Sequence, residues 1–191
     1  TETLIKGKGF PIYYRKKQVD RSLLNPEMLG VPKGLDVYYC PMTTFKIHPS
    51  FDEAVFALLF QNKKAVVLFI EYKGLDQKIK ARLSRKCGKL MERVHFIPSQ
   101  KFDSYLSLIS NCTAVLETFP FGGGNTSLQA FNAGTPVVNL ETELLRGRFT
   151  QGYYRYIYTD YEGESYYDLK KDPLQQHSLW ATLSDTKKSE I

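Results

Sequence analysis

Apolar positions along this chain alternate between two periods. Leu35 to Cys40 (LDVYYC) and Ala65 to Glu71 (AVVLFIE) are short unbroken runs, and the second is continuous enough for a strand buried on both faces of a parallel sheet. Between them, Pro49 to Phe60 sets Phe51, Ala54, Val55, Leu58 and Leu59 on one helical face. Gly74 to Met91 is the next amphipathic helix, with Ile79, Leu83, Leu90 and Met91 near helical spacing. Val94 to Ile97 is a short strand stopped by Pro98, and Phe102, Tyr105, Leu106 and Ile109 mark a third helix. Thr113 to Leu116 leads as a fourth strand into three glycines, a helix runs from there to about Ala133, and Pro136 to Leu140 is the fifth strand. Strands and helices in this alternation predict an α/β fold with a doubly wound, Rossmann-like parallel sheet over residues 35–155. Residues 1–34 carry Pro11, Pro26 and Pro32 without a sustained period and read as an extended lead-in with one short turn. Residues 156–191 read as a small C-terminal appendage.

Such sheets hold ligands beyond the carboxyl ends of their strands. Here those ends open into Pro41 to Lys46, Pro98 to Lys101 and Thr118 to Asn125. The third loop begins the stretch Glu117 to Pro136, ETFPFGGGNTSLQAFNAGTP. A strand, a glycine-rich turn and a helix start are how α/β proteins build an anion site: unpaired amides point at the ligand and the helix dipole favours negative charge. The glycines allow close backbone approach and positive φ, while Asn125, Thr126 and Ser127 are able to cap the helix or donate to phosphate and sugar oxygens. An ordinary capped turn without a ligand fits the same pattern.

Composition narrows the class. The chain has 191 residues and is 42% hydrophobic, enough for one sizeable core, and no run approaches the ~18 apolar residues of a membrane span. The N-terminus has no signal-like apolar stretch, and a chain that starts without Met is expected to be a processed or excised domain. Its three cysteines, Cys40, Cys87 and Cys112, lie far apart with three histidines for company, which suggests neither a disulfide framework nor a metal site and points to a reducing, cytoplasmic setting. Net charge is +6. The excess gathers in Lys6, Lys8, Arg15, Lys16, Lys17 and Arg21, and again in Lys78, Lys80, Arg82, Arg85, Lys86 and Lys89, where the apolar period makes the cations a solvated helix face. No aromatic-basic motif accompanies the charge, so nucleic acid is not the expected partner.

Three ordered blocks carry a more specific signal: YYCPMTTFKIHPSFDEAVFALL, HFIPSQKFDSYLSLISNCTAVLETFPFGGGNTSLQAFNAGTPVVNLE and LLRGRFTQGYYR. In order and spacing they resemble the C-terminal catalytic half of the O-linked GlcNAc transferase and SPINDLY family, its bacterial FGGGNTS-type members above all. The resemblance covers about Leu29 to Arg155. It implies the second, donor-binding half of a GT-B fold, in which two Rossmann-like domains clasp a nucleotide-sugar, and it implies that the first of those domains is missing from this sequence.

Carried over by position, the family's lysine that faces the donor diphosphate falls on Lys46. A lysine there is a compact cation able to neutralise charge on departing UDP, which makes Lys46 the implied catalytic residue. The glutamine usual after the Cys-Pro pair is Met42 here, with Thr43 next to it as partial compensation. Gly123, Gly124, Asn125 and Thr126 match the segment that wraps the diphosphate, and the helix-start reading extends the expected cradle to Gly122 and Ser127. The acidic residue that resembles a ribose binder is Gln129, whose amide accepts from a hydroxyl more weakly than a carboxylate does. Ser99, Gln100 and Lys101 fall where relatives contact base and diphosphate, and Arg146 and Arg148 match a further block with either a binding or a structural role.

After Arg155 the resemblance ends. YIYTDYEGESYYDLKKDPLQQHSLW resembles instead the C-terminal hairpin of arylsulfatases, without a sulfatase's metal ligands, and alternating Tyr154, Tyr156 and Tyr158 around the EGES turn suit a β-hairpin. Together these readings predict the donor-binding domain of a glycosyltransferase moving GlcNAc or a hexose from a UDP-sugar to a protein, peptide or other acceptor, with no cofactor and no metal. The isolated chain is expected to be inactive. Two rivals stay open: a non-catalytic nucleotide-binding or protein-interaction module, motivated by Met42 and Gln129, and a nucleic-acid-binding protein, motivated by charge alone.

Overall fold

The structure is a computed structural model, and it describes residues 14–156 apart from Lys73, Leu75 and Glu141. Tyr14–Thr150 form one compact unit, and the described residues from Gln151 onward belong to a second. The lead-in before Tyr14 and the sulfatase-like ending beyond Tyr156 lie outside the described residues.

Five strands form one sheet: β1 (Asp36–Cys40), β2 (Ala65–Ile70), β3 (Val94–Ile97), β4 (Ala114–Leu116) and β5 (Val137–Val138). All four pairings are parallel and the order is β3-β2-β1-β4-β5. The helices between them are α1 (Pro49–Gln61), α2 (Gln77–Cys87), α3 (Phe102–Ser110) and α4 (Asn125–Asn132), followed by α5 (Phe149–Tyr156). The register Tyr38↔Val67 and Cys40↔Phe69 aligns one face of the sheet, and that face packs with Phe51, Val55 and Leu59 of α1 and Ile79 and Leu83 of α2 into a single core. On the opposite face the Tyr39 ring meets Tyr105 of α3 edge-on, with centroids 6.2 Å apart. Helices therefore cover both faces, and the central strand β2 is buried at Ala65 to Phe69. Each fully buried Leu, Val or Phe contributes about 1.5–3 kcal/mol relative to exposure.

Local chemistry sets the element ends. His48 caps α1 by accepting the Ser50 amide at 3.2 Å, and Pro49 occupies the first turn, where its missing N–H has no helical partner to lose. The predicted helix Gly74 to Met91 is broken: α2 stops at Cys87, Gly88 takes φ +56°, and a 3-10 segment Gly88–Arg93 delivers the chain to β3. The fifth strand is two residues where five were predicted, because it pairs only along β4 at the sheet edge. Tyr154 and Tyr156, read as alternating strand positions, lie in α5 instead; Phe149, Tyr153 and Tyr156 recur at i, i+4 and i+7, the helical period.

The segment ahead of β1 is bonded to the helical layer. Leu24 donates from its amide to Ser107 Oγ at 3.0 Å and accepts from that hydroxyl at 3.1 Å, while Asn111 donates to the carbonyls of Arg21 and Leu24. Lys17 exchanges two backbone bonds with the Asn132 side chain, at 2.7 and 2.9 Å. Much of the second basic cluster is neutralised locally. Lys80 pairs with Glu71 and Asp76, Arg82 with Asp52, and Lys86 with Glu53, leaving Lys78, Arg85 and Lys89 on the exposed surface.

Candidate functional site

Strand succession runs one way through β1, β2 and β3 and the other way through β4 and β5, so the order reverses between β1 and β4. In open parallel sheets ligands bind beyond the strand ends at such a reversal, in the crevice between the two flanking loops. One wall is the loop 41–48 after β1, and the other is the loop 117–124 after β4. Lys46 joins them: its Nζ donates to the Gly122 carbonyl at 2.9 Å and sits 4.1 Å from the centre of the Phe121 ring. Phe45 and Phe121 meet at the mouth, centroids 6.4 Å apart, with Phe45 78% exposed, while Phe51 and Phe119 pack beneath at 5.6 Å. Arg82 holds the far end of the first loop through the Ile47 carbonyl at 3.0 Å.

Inside the second loop the controlling group is one that the sequence patterns did not single out. Glu117, only 4% exposed, follows β4 directly and turns its carboxylate back under the glycines. It accepts from the Gly123 amide and the Thr150 hydroxyl, and from Ser127 Oγ at 3.2 Å; Ser127 and Thr150 oxygens lie 2.7 Å apart. The loop is further pinned by Thr118 Oγ1 donating to the Phe121 carbonyl at 2.8 Å and by the Gly122 amide donating to the Arg146 carbonyl at 2.9 Å. The available signal for Glu117 was a lone carboxylate at the end of an apolar strand.

Gly122 and Gly123 serve close approach, and none of the three glycines serves positive φ. None of Gly122, Gly123 and Gly124 is among the glycines with φ above zero, which are Gly30, Gly34, Gly74, Gly88 and Gly134. A Cβ on Gly122 would lie 1.8 Å from Glu117 Oε1, and one on Gly123 would lie 2.3 Å from Ser127 Oγ; one on Gly124 would meet nothing within 4 Å. The capping expectation also changes. Gly124 is the N-cap, without a side-chain bond, and Asn125, Thr126 and Ser127 are the first three helical residues. Asn125 is exposed and Thr126 half-buried, whereas Ser127 is fully buried and spends its hydroxyl on Glu117 and Thr150.

The remaining predicted residues are spread over several segments. Thr43 precedes the 3-10 turn Thr44–Lys46, and its Oγ1 is shielded from solvent without a hydrogen-bond partner among the described residues. Met42 is buried and approaches the glycine loop, its Cε 3.2 Å from the position of a Gly123 Cβ. Ser99 and Lys101 are exposed at the start of α3, with Lys101 its N-cap. Two strands, β2 and β1, separate β3 from β4, so the sheet alone does not bring these residues to the glycine loop. α3 and α4 do touch: Tyr105 donates to Gln129 Oε1 at 3.1 Å, each about one turn into its helix. Gln129 thus has its acceptor engaged by protein. Arg146 and Arg148 are exposed, and Arg146 reaches the glycine loop through its carbonyl.

Burial pushes the Glu117 carboxyl above its ordinary range, and the hydrogen bonds from Thr150, Gly123 and Ser127 together with the charge of Lys46 pull it part of the way back. Burial pushes Lys46 down, opposed by Glu117. Cys40, at the end of β1, is pushed up to about 12 by burial, which keeps it a thiol at neutral pH. What the crevice offers an incoming anion is one half-buried ammonium and the first amides of α4.

No protein-family model matches the chain, and no curated protein sequence matches it. Among solved structures it is similar to a mutant of the Thermobaculum terrenum O-GlcNAc transferase, at 26% identity over 65% of this chain and 24% of that one, with a TM-score of 0.58. It is also similar to E. coli ADP-heptose LPS heptosyltransferase II, at 13% identity over 72% of this chain and 44% of that one, with a TM-score of 0.50. The chain thus spans about a quarter of the first and under half of the second. Among the described residues no helix is long and apolar enough to cross a membrane. With its five parallel strands and flanking helices, the chain is a glycosyltransferase-like α/β domain that matches the GT-B glycosyltransferases in fold.

Proposed function

We propose that this domain binds the nucleotide-sugar donor of a glycosyltransferase, a UDP-sugar carrying GlcNAc or a hexose, for transfer to a protein or other acceptor. The observation that carries the reading is the Lys46 bridge: a half-buried ammonium from the β1 loop lies against the glycine loop after β4, where the strand order reverses. In this reading the donor's diphosphate takes the place of the Gly122 carbonyl as the partner of Lys46. The amides of Asn125 and Thr126 complete its neutralisation, and as the sugar leaves UDP, Lys46 offsets the charge that builds on the leaving oxygen. Thr43, Ser99, Lys101 and Gln129 are the proposed contacts to the rest of the nucleotide. A second Rossmann-like domain supplies the acceptor wall of the cleft. UDP titrated into the chain should bind saturably, and Lys46→Ala should weaken it at least tenfold, about 1.4 kcal/mol. A folded Lys46→Ala variant with unchanged affinity removes Lys46 from the site, and absence of any UDP binding by the parent chain ends the reading.

A second reading, a nucleotide-binding module without transfer, draws on the polar groups already spent within the protein: Ser127 on Glu117 and Thr150, Gln129 on Tyr105. It shares the UDP titration, and hydrolysis or transfer of a UDP-sugar in the presence of the companion domain separates the two.

A further inference from the structure

Glu117 is a buried carboxylate at the carboxyl end of β4, beneath the loop proposed to wrap the diphosphate, and no ligand role accounts for it. An unneeded charge in such a place is costly, since desolvation penalises the ionised form and removal of the group by substitution is chemically simple. Three donors from three parts of the chain converge on it: the Gly123 amide from the loop itself, Ser127 from the first turn of α4, and Thr150 from the start of α5. Gly122 passes so close over its Oε1 that a side chain at position 122 has no room, and the carbonyl of that same Gly122 is the partner of Lys46. A single carboxylate therefore sets the height of the loop above β4, the direction of the Gly122 carbonyl, and the seating of the α4 N-terminus.

We infer that Glu117 is a positioning residue of the donor site, holding the glycine loop, the first turn of α4 and, through the Gly122 carbonyl, Lys46 in the arrangement that receives a diphosphate. The inference rests on the donor-binding reading for its functional consequence, but the geometric claim stands apart from it. Glu117 does not touch the ligand; it acts through backbone. Its charge also acts on Lys46, favouring the ammonium against the pull of burial.

The test uses the full chain with three variants, Glu117→Ala, Glu117→Gln and Thr150→Val, and two readouts: hydrogen exchange at the amides of residues 122–128, and UDP affinity by calorimetry. Glu117→Ala should speed exchange at Gly123 and Ser127 at least tenfold while Val67 and Leu68 in the central strand keep their protection, and it should weaken UDP at least tenfold. Glu117→Gln keeps one acceptor and should recover most of both effects; Thr150→Val removes one anchor and should fall between, which keeps the idea testable if Glu117→Ala does not fold. Unchanged exchange across residues 122–128 in a folded Glu117→Ala or Thr150→Val variant overturns the inference. Loss of protection spread equally over the sheet also overturns it, since that is the mark of a residue that only stabilises. If the parent chain binds no UDP, the donor reading fails while the exchange data still decide the role of Glu117.

Discussion

Gly122 and Glu117 share one volume: a Cβ on the glycine would stand 1.8 Å from the glutamate's Oε1 and 2.9 Å from its Cδ. Gly124, two residues on, has no atom within 4 Å of the same construction. The two glycines should respond to alanine to different degrees. Gly122→Ala must displace a buried carboxylate and should cost about 1–3 kcal/mol of stability. Gly124→Ala meets no atom, and should cost only the preference of an N-cap for glycine over alanine, about 0.5–1 kcal/mol. Urea midpoints of the two variants check this, and Gly124→Ala, which leaves the Glu117 carboxylate in place, reports separately on UDP affinity.

Stability should carry a pH signature from Glu117. Because burial raises its pKa in the folded chain, the folded state keeps a proton that the unfolded state releases, so its contribution is fully present below the ordinary glutamate pKa and is lost as pH rises through the raised value. Glu117→Gln cannot titrate. As pH rises from the ordinary glutamate pKa through the raised one, the difference in unfolding free energy between parent and variant should therefore shift in the variant's favour. A pH-independent difference would mean that Glu117 titrates alike in both states.

Arg82 is held bidentately by Asp52, at 2.8 and 2.9 Å, and reaches on to the Ile47 carbonyl at 3.0 Å. Asp52 is 6% exposed, so Arg82→Leu leaves a buried charge unpaired and also frees the end of the Lys46 loop. The expected cost is about 2 kcal/mol or more, below the 3–5 of a fully buried pair because the arginine is partly solvated. Arg82→Lys loses the planar fork and should recover less than half. Thermal or urea denaturation measures both.

Gln129→Glu keeps an acceptor for the Tyr105 hydroxyl and adds negative charge near the start of α4. If position 129 reads a ribose hydroxyl, the variant should bind UDP more tightly, by about 1 kcal/mol, while inorganic diphosphate binds equally or more weakly. Calorimetric titration of both ligands into both proteins decides it; an equal response to the two removes Gln129 from ribose recognition.

Periodicity carried most of the fold. AVVLFI had to be a central strand because every position but the last needed burial on one face or the other, and α1 was legible down to its proline start. The misjudged elements lie where tertiary neighbours decide. The fifth strand shrank to Val137 and Val138 at a sheet edge with one partner, and α2 broke at Gly88, whose left-handed backbone the amphipathic period does not register. At the site, the glycine run and Lys46 stood out because their residue types are unusual for their place. Glu117 did not, since its meaning comes from three donors separated from it by up to 33 residues. Ser127 was misjudged for the same reason: a serine at a helix start looks outward in sequence and faces inward once α5 supplies Thr150.

The doubled bond between Leu24 and Ser107 bears on where this domain can be cut. Ser107 is fully buried in α3, and its hydroxyl gives to the Leu24 carbonyl and takes from the Leu24 amide. A recombinant fragment begun at the first strand, near Leu35, strips that partner away, gives up two hydrogen bonds worth about 0.5–1.5 kcal/mol each, and uncovers the side of α3 that the earlier residues shield. A fragment begun ahead of Lys17 retains the bonds to Ser107, Asn111 and Asn132. The boundary suited to expression is thus set by the polar seam along α3 and α4, well upstream of the point where the sheet begins.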